Sequence, residues 1–485
     1  MIKLTDVSFT YDEQQENGLQ NISLHIPKGQ FVLLCGESGC GKTTVTRLIN
    51  GLIPHFYSGE LSGKTEVCGM DTANTEIAEL SDHIGSVFQN PRTQFFNTDT
   101  DSELAFGLEN RGLPAENIIN RIAEVSRELK IQHLMQRSIF GISGGEKQKI
   151  AFASVYTSSP DILVLDEPSS NLDPQSIEEL TLLLKKAKAE NHTIIIAEHR
   201  IWYLMELADR VVFMKDGRIE KDMNIAEFKA LPEDERINMG LRCRSLKDIQ
   251  VQNLAIQKHE QTLSAHDLTV RIEGKTILNK VSFTAHAGEI IAITGRNGAG
   301  KTTLARTLCG LQKPSSGQIK TGVTDIRENQ RKKQSYMVMQ DVNHQLFTDS
   351  AEAECKLGIK EIDDAAVQSA LDLLDLTAYR DRHPLSLSGG QKQRLAVAVS
   401  LLCGKEAVVF DEPTSGLDLR SMREVGELAF ELSRRGKFLL VITHDYEFIA
   451  AICTRMLCLE NGELVSDTPV DSFETLPMFR KGEFV

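Results

Sequence analysis

One stretch occurs twice in this chain and leaves few folds open to it. Gly36-Glu37-Ser38-Gly39-Cys40-Gly41-Lys42-Thr43-Thr44 returns as Gly295-Arg296-Asn297-Gly298-Ala299-Gly300-Lys301-Thr302-Thr303. Both fit G-x-x-x-x-G-K-[ST], a loop that wraps phosphate between a buried strand and a helix. Its glycines let consecutive backbone N–H groups turn toward a β-phosphate, where a side chain would collide. The helix that follows adds the positive end of its dipole. In this pattern Lys42 and Lys301 reach the β- and γ-phosphates, and Thr43 and Thr302 offer hydroxyls to Mg²⁺. Apolar runs precede both copies at 31–34 and 290–293, as a buried parallel strand requires. Helix-compatible segments follow at 45–50 and 304–309.

The first half adds chemistry in a fixed order. Tyr11 ends a strand-like alternation and precedes a polar turn at 12–17, where an aromatic ring can stack on an adenine. Gln89 ends the apolar run 84–88, placed to ligate Mg²⁺ or orient water. Ser143-Gly144-Gly145 opens a helix-like run, a second anion-binding helix N-terminus. The run 162–165 ends in Asp166 and Glu167. Asp166 suits a Mg²⁺ partner. Glu167, pointing the other way in an alternating strand, suits the general base for an attacking water. His199 lies just past the strand 193–198, in reach of a γ-phosphate.

Every one of these recurs in order: Gln340, then Ser388-Gly389-Gly390, then Asp411 and Glu412, then His444. The offset is constant from the serine-glycine motif onward (388 − 143, 411 − 166 and 444 − 199 all give 245) and is 259 at the phosphate loop (295 − 36). The first half therefore has 14 more residues between these motifs (259 − 245), a loop difference inside a duplicated domain.

With these motifs in place the chain resembles the ATP-binding-cassette (ABC) ATPases over nearly its whole length. The resemblance implies an α/β fold: two tandem nucleotide-binding domains, each with a P-loop core sheet, an antiparallel β subdomain and a helical signature subdomain. It implies ATP and Mg²⁺ as cofactors and pairing of the two cassettes, the signature of one facing the P-loop of the other. One composite site would use Tyr11, Lys42, Thr43, Gln89, Asp166, Glu167 and His199 with Ser388, Gly389 and Gly390. The other would use Lys301, Thr302, Gln340, Asp411, Glu412 and His444 with Ser143, Gly144 and Gly145. The sequence departs from the family pattern at three places. Ile272 stands where the second adenine-stacking aromatic belongs, Lys149 replaces the signature arginine kept as Arg394, and Cys40 replaces a small loop residue. Both glutamates are present, so both sites are expected to hydrolyse ATP.

A narrower resemblance lies between the motifs. Residues 87–96 and 103–110, with 50–57 and Glu198-His199-Arg200, are similar to energy-coupling-factor transporter ATPases, and the fused two-cassette members in particular. That resemblance implies a transmembrane coupling subunit docked beside each Q-loop, with Phe95, Phe96, Leu346 and Phe347 as groove candidates. It also implies a membrane-embedded subunit that binds a vitamin or metal ion, and a place at the cytoplasmic face of the membrane. Two rivals are a sugar-type importer ATPase and a ribosome-associated tandem-cassette translation factor. A net charge of −14 argues against a nucleic-acid partner. No apolar run is long enough to span a bilayer, the N-terminus enters a strand pattern without a signal-peptide pattern, and the nine cysteines form no C-x-x-C pair. The expected boundaries are a first domain over 1–235, a linker over 236–261 and a second domain over 262–485.

Overall fold

The structure is a computed structural model that describes residues 1–12, 14–252, 259–359 and 363–471. It divides into two compact units, Met1–Ser245 and Leu246–Val485. Among the described residues the first has ten strands: β1 (Ile2–Tyr11), β2 (Gln14–Ile26), β3 (Phe31–Cys35), β4 (Gly59–Val67), β5 (Met70–Asp71), β6 (Ile84–Val87), β7 (Ile162–Asp166), β8 (Thr193–Ala197), β9 (Arg210–Lys215) and β10 (Arg218–Asn224). They form an antiparallel sheet in the order β2-β1-β4-β5 and a core sheet in the order β10-β9-β3-β8-β7-β6. Pairings β3 with β8 and β9, and β7 with β6 and β8, are parallel, and β10 closes the edge antiparallel.

The core strands read as continuous apolar runs because both faces are covered. Val32, Leu34, Val164 and Ile195 pack in one cluster with Val45 and Leu48 of helix α1 (Lys42–Ile49) and with the antiparallel sheet. Phe31, Leu33, Leu163, Leu165 and Ile194 face the opposite cluster. Helices α2 (Thr100–Asn110), α3 (Ala115–Glu128), α4 (Gly144–Thr157) and α5 (Pro174–Ala189) contribute to that second cluster. The break between α2 and α3 falls at Gly112 and Pro114; Gly112 has φ 69 and Pro114 caps α3.

The second unit repeats the plan with β11 (Thr262–Ile272), β12 (Lys275–His286), β13 (Ile290–Thr294), β14 (Ser316–Thr321), β15 (Thr324–Asp325), β16 (Ser335–Val338), β17 (Ala407–Asp411), β18 (Phe438–Ile442), β19 (Arg455–Glu460) and β20 (Glu463–Pro469). Its sheets run β12-β11-β14-β15 and β16-β17-β18-β13-β19-β20, the same two orders. Helices α6 (Lys301–Leu308), α7 (Gly389–Leu402) and α8 (Leu419–Arg434) answer α1, α4 and α5.

Two expectations change. Residues 14–17 of the polar run are strand, and Tyr11 pairs with Gln14. The linker drawn over 236–261 begins too early, because Met239 and Leu241 are buried in the first unit's core. Arg236 is held by Glu233 and by the Leu241 carbonyl. Residues 246–252 group with the second unit, where the Gln252 amide donates to the Ala450 carbonyl. The stretch 253–258 of that linker, and the domain end from 472, lie outside the described residues.

Candidate functional site

In each unit the motifs gather at the carboxyl ends of adjacent parallel strands, where open α/β sheets place their ligands. In the first, Gly36 follows β3, His199 follows β8 after one residue, Glu167 follows β7 and Gln89 follows β6 after one residue. The loop geometry needs its glycines. Gly41 and Gly300 cap α1 and α6 with φ 102 and 98, left-handed values that an L side chain resists. A Cβ on Gly36 would stand 2.2 Å from the Met214 carbonyl oxygen.

The loop lysines are buried. Lys42 Nζ donates to the carbonyls of Gly36 and Glu37, both at 2.9 Å. Lys301 Nζ donates to those of Gly295 and Arg296 at 2.7 and 3.0 Å. Cys40 and Ala299 are each 5% exposed at equivalent positions, so the thiol serves as a small packing group. Thr43 Oγ1 donates to Asp166 Oδ1 at 3.1 Å, and Thr302 Oγ1 to Asp411 Oδ2 at 3.0 Å. Each pair sets a hydroxyl beside a carboxylate, half-buried at Asp166 and buried at Asp411, a hard-oxygen donor set that fits Mg²⁺.

Burial, reinforced by the Glu167 charge, pushes Asp166 up to about 7. Burial raises Asp411 too. The folded protein therefore holds a proton on Asp166 that an unfolded aspartate, near about 3.9, releases. The stability from this group is full below pH ~4 and is lost as pH rises through about 7. A cation can replace that proton. Mg²⁺ is therefore expected to raise the first unit's unfolding midpoint more at pH 8 than at pH 6 in thermal scans. Equal gains at both pH values would contradict this.

Alternation alone would send Glu167 to the far face from Asp166. Instead Glu167 and Glu412 both take left-handed backbone, φ 43 and 51. Their amides continue the parallel ladder one residue further, donating to the carbonyls of Ala197 (2.8 Å) and Ile442 (2.9 Å). This sparsely populated conformation bends the chain at the strand end. It leaves Glu167 between the neighbouring strand ends. Gln89 Nε2 donates to Glu167 Oε2 at 2.7 Å, and His199 Nε2 lies 3.4 Å from Glu167 Oε1. His444 Nε2 lies 3.6 Å from Glu412 Oε1. Gln89 thus meets the candidate base directly.

Tyr11 donates or accepts a bond with Thr44 Oγ1 at 3.2 Å and accepts one from Arg47 at 3.0 Å, which fixes its ring beside the phosphate loop. It sits edge-on to Phe9 and Tyr57. Ile272 holds the matching place: it ends β11 and pairs with Lys275 as Tyr11 pairs with Gln14. It is 40% exposed and offers no ring.

Ser143 and Ser388 are the N-caps of α4 and α7, each in a capping box, with Glu146 and Gln391 respectively. Gly144, Gly145, Gly389 and Gly390 form the first helical turns. A Cβ on Gly145 would meet Ser176 Oγ of α5 at 2.2 Å, whereas Gly144 and Gly389 face open space. The Lys149 substitution keeps its ion pair. Lys149 Nζ is 2.5 Å from Glu179, as Arg394 is 2.9 Å from Glu424, and the two acids are themselves 245 apart (424 − 179).

Sequence reading missed two sets of residues. Glu103 is buried and its Oε2 accepts the amides of Phe96 (3.1 Å) and Asn97 (2.9 Å). Glu354 does the same for Phe347 and Thr348, both at 2.9 Å. Phe96 and Phe347 are thereby displayed at 76% and 72% exposure, while Leu346 is buried and Phe95 packs on the core. The second set centres on Glu198, which is buried and accepts from the amides of His199, Arg200 and Ser169 and from the Tyr203 hydroxyl. No local signal marks either: Glu103 follows Asp99-Thr100-Asp101-Ser102 and Glu198 precedes His199-Arg200, so a single sequence does not separate them from surface acids.

Two phosphate-binding loops on parallel α/β sheets, each beside a hydroxyl–carboxylate pair and a strand-end glutamate, define a protein with two nucleoside-triphosphate-binding cassettes. The ABC transporter family model matches residues 19–170 and 278–415, more than half of the chain. The chain belongs to that family and is an ABC ATPase. A Treponema denticola protein, provisionally described as an ABC transporter ATP-binding protein, is 58% identical over 96% of this chain and 97% of its own. A Methanosarcina mazei protein with the same description is 34% identical over 97% and 89%. Among solved structures, a model of ribosome-bound archaeal Pelota and ABCE1 gives a TM-score of 0.70 at 19% identity, covering 96% of this chain and 78% of that one. That likeness concerns the tandem-cassette fold. No helix among the described residues is long and apolar enough to cross a membrane.

Proposed function

We propose that this chain is the ATP-hydrolysing subunit of a multi-subunit importer at the cytoplasmic face of a membrane, of the energy-coupling-factor type, serving uptake of a vitamin or metal ion. The observation that carries it is the pair of displayed phenylalanines. Both cassettes build the same arrangement at equivalent places, a buried carboxylate that accepts the amides of an exposed phenylalanine and of the residue after it. In the first cassette Phe96 stacks on Phe106, ring centroids 4.9 Å apart, at the rim of a groove of about 740 Å³ lined also by Ile84, Ser86, Val155 and Pro160. Gln94 ties the floor of this loop to β6, bonding the Phe88 amide and the Ser86 carbonyl. Gln345 repeats both bonds in the second cassette. The displayed ring and the candidate Glu167 partner Gln89 thus sit on one short segment, so a helix docked on Phe96 would feel the state of the nucleotide.

In this reading Thr43 and Asp166, with Gln89, would hold Mg²⁺ in the first cassette, and Thr302 and Asp411, with Gln340, in the second; the ion would supply positive charge for the phosphates bound beside it. Lys42 and Lys301 exchange their loop carbonyls for phosphate oxygens. Glu167 and Glu412 accept the proton of the attacking water, and His199 and His444 hold the γ-phosphate beside them. The cassettes pair so that Ser388, Gly389 and Gly390 close the first site and Ser143, Gly144 and Gly145 the second, excluding water. Tyr11 stacks on one adenine only, so the first site binds ATP more tightly than the second.

The test is affinity purification of the tagged chain from detergent-solubilised membranes of its host, beside the Phe96→Glu, Phe347→Glu double variant. A transmembrane subunit and a small membrane-embedded binding protein should co-purify with the native chain. The variant should lose them while keeping its ATPase rate within about 2-fold, both positions being exposed. Recovery of ribosomal proteins with no membrane subunit would replace this reading with the translation-factor alternative.

A further inference from the structure

A cluster of chemically unlike donors lies at the other end of the first core sheet, away from the phosphate loop. Cys68 comes from the β4–β5 turn, His83 from the residue before β6, and Asp161 from the residue before β7. One ligand atom from each lies within 4.8 Å of the others. His83 Nδ1 is 2.9 Å from Asp161 Oδ2. Lys28 pairs at 3.5 Å with the other oxygen, Oδ1, and leaves Oδ2 on the histidine side. The Met1 sulfur is 3.8 Å from the Cys68 thiol. The frame is tied by backbone bonds: the Ile162 amide donates to the His83 carbonyl at 3.0 Å, and the Cys68 amide to the Met1 carbonyl at 2.8 Å.

The fold does not ask for this set. Cys68 has φ 53 and Gly69 φ 85, a hairpin turn whose first position favours Asn, Asp or Gly. The second cassette has Gly322 at that turn, with φ 58, then Gln334 before β16 and Glu406 before β17. Its thiol and imidazole are both absent, yet its sheets have the same order. A surface ion pair between His83, Asp161 and Lys28 would explain two of the three residues and leave the strained cysteine without a reason.

We infer that Cys68, His83 and Asp161 bind a divalent transition-metal ion of the zinc class. Thiolate, imidazole and carboxylate are the ligands of that class, and three protein ligands leave one tetrahedral position to water. The sulfur donor selects against Mg²⁺ and Ca²⁺. Binding balances by release of the thiol proton to solvent as the ion takes its place; His83 ligates as neutral imidazole through one ring nitrogen and keeps its proton on the other, and Asp161 ligates as carboxylate. The site joins the antiparallel sheet, through β4–β5, to the core sheet, through β6 and β7. It is a clamp between the two layers of the first cassette alone.

The test uses the untagged full chain, stripped with chelator and kept free of Mg²⁺. Co²⁺ is titrated while the thiolate-to-cobalt charge-transfer absorption is followed, and Zn²⁺ is then added in competition. One Co²⁺ per chain should give the absorption and Zn²⁺ should abolish it. Cys68→Gly, which restores the residue the second cassette uses and suits the left-handed backbone, should remove it with circular dichroism and ATP binding unchanged. His83→Ala should weaken binding at least about 100-fold, the upper end of what losing even an outer partner costs. No absorption in the native chain, or absorption that survives Cys68→Gly, overturns the assignment.

Discussion

Glutamine in place of both Glu167 and Glu412 is expected to lower steady-state ATP hydrolysis by about 10²–10⁴-fold, the worth of a positioned general base. ATP binding should stay, because neither side chain belongs to the phosphate loop. The substitution keeps the shape of the residue and so the left-handed turns at φ 43 and 51, which the amide bonds to Ala197 and Ile442 hold in place. What it removes is the carboxylate beside His199 and His444, and with it the proton acceptor. Phosphate release measures turnover, and a fluorescent ATP analogue measures binding. Single variants sharpen the result. Loss of about half the rate in each means two independent sites, whereas near-complete loss in either means that both must fire. A double variant hydrolysing within about 2-fold of the native rate would remove the glutamates from the mechanism, since 2-fold is only ~0.4 kcal/mol of barrier.

The parts of this site that were legible in the sequence are those whose chemistry is local. A phosphate loop is written in consecutive residues because consecutive amides do the binding, and Gly36, Gly41 and Lys42 are where the pattern places them. Strands such as β7 and β13 are legible because both faces are buried and the run is apolar almost throughout. Duplication helped, since a weak signal such as Gln89 is strengthened by Gln340. What was not legible depends on residues far apart in the chain. Nothing in the sequence near Glu103 announces that its carboxylate accepts the amides of the residues that display Phe96. The domain seam failed for a similar reason. Residues 236–245 are polar enough to read as linker, yet Met239 and Leu241 are buried in the first core. The Cys68–His83–Asp161 cluster spans 93 positions (161 − 68) and has no spacing motif at all.

Glu198 carries the second large expectation, and it separates the two cassettes. Its carboxylate is buried and collects four donors: the His199 amide at 2.8 Å, the Arg200 amide at 3.1 Å, the Tyr203 hydroxyl at 2.8 Å and the Ser169 amide at 3.3 Å. Ser169 belongs to the segment after Glu167, so one side chain joins the histidine loop to the glutamate loop. Tyr203 keeps its proton firmly: burial, then the Glu198 charge, raise it well above the ordinary tyrosine range. The second cassette has Thr443 at the same place, and its Oγ1 accepts the Asp445 amide at 3.0 Å. Glu198→Ala would leave several buried donors without an acceptor and should cost about 3–5 kcal/mol, as breaking a buried charged network does. Thr443→Ala should cost about 1 kcal/mol, one ordinary hydrogen bond. Urea unfolding of the two variants, followed by separate probes in each unit, measures the difference. Because His199 loses its backbone anchor, Glu198→Ala should also lower kcat at the first site, and Glu198→Gln, which keeps one carbonyl for the His199 and Arg200 amides, should recover part of both losses. Equal destabilisation by the two alanine variants would mean that Glu198 is packing rather than the joint between the loops. A large difference with no change in kcat would keep the joint but detach it from hydrolysis.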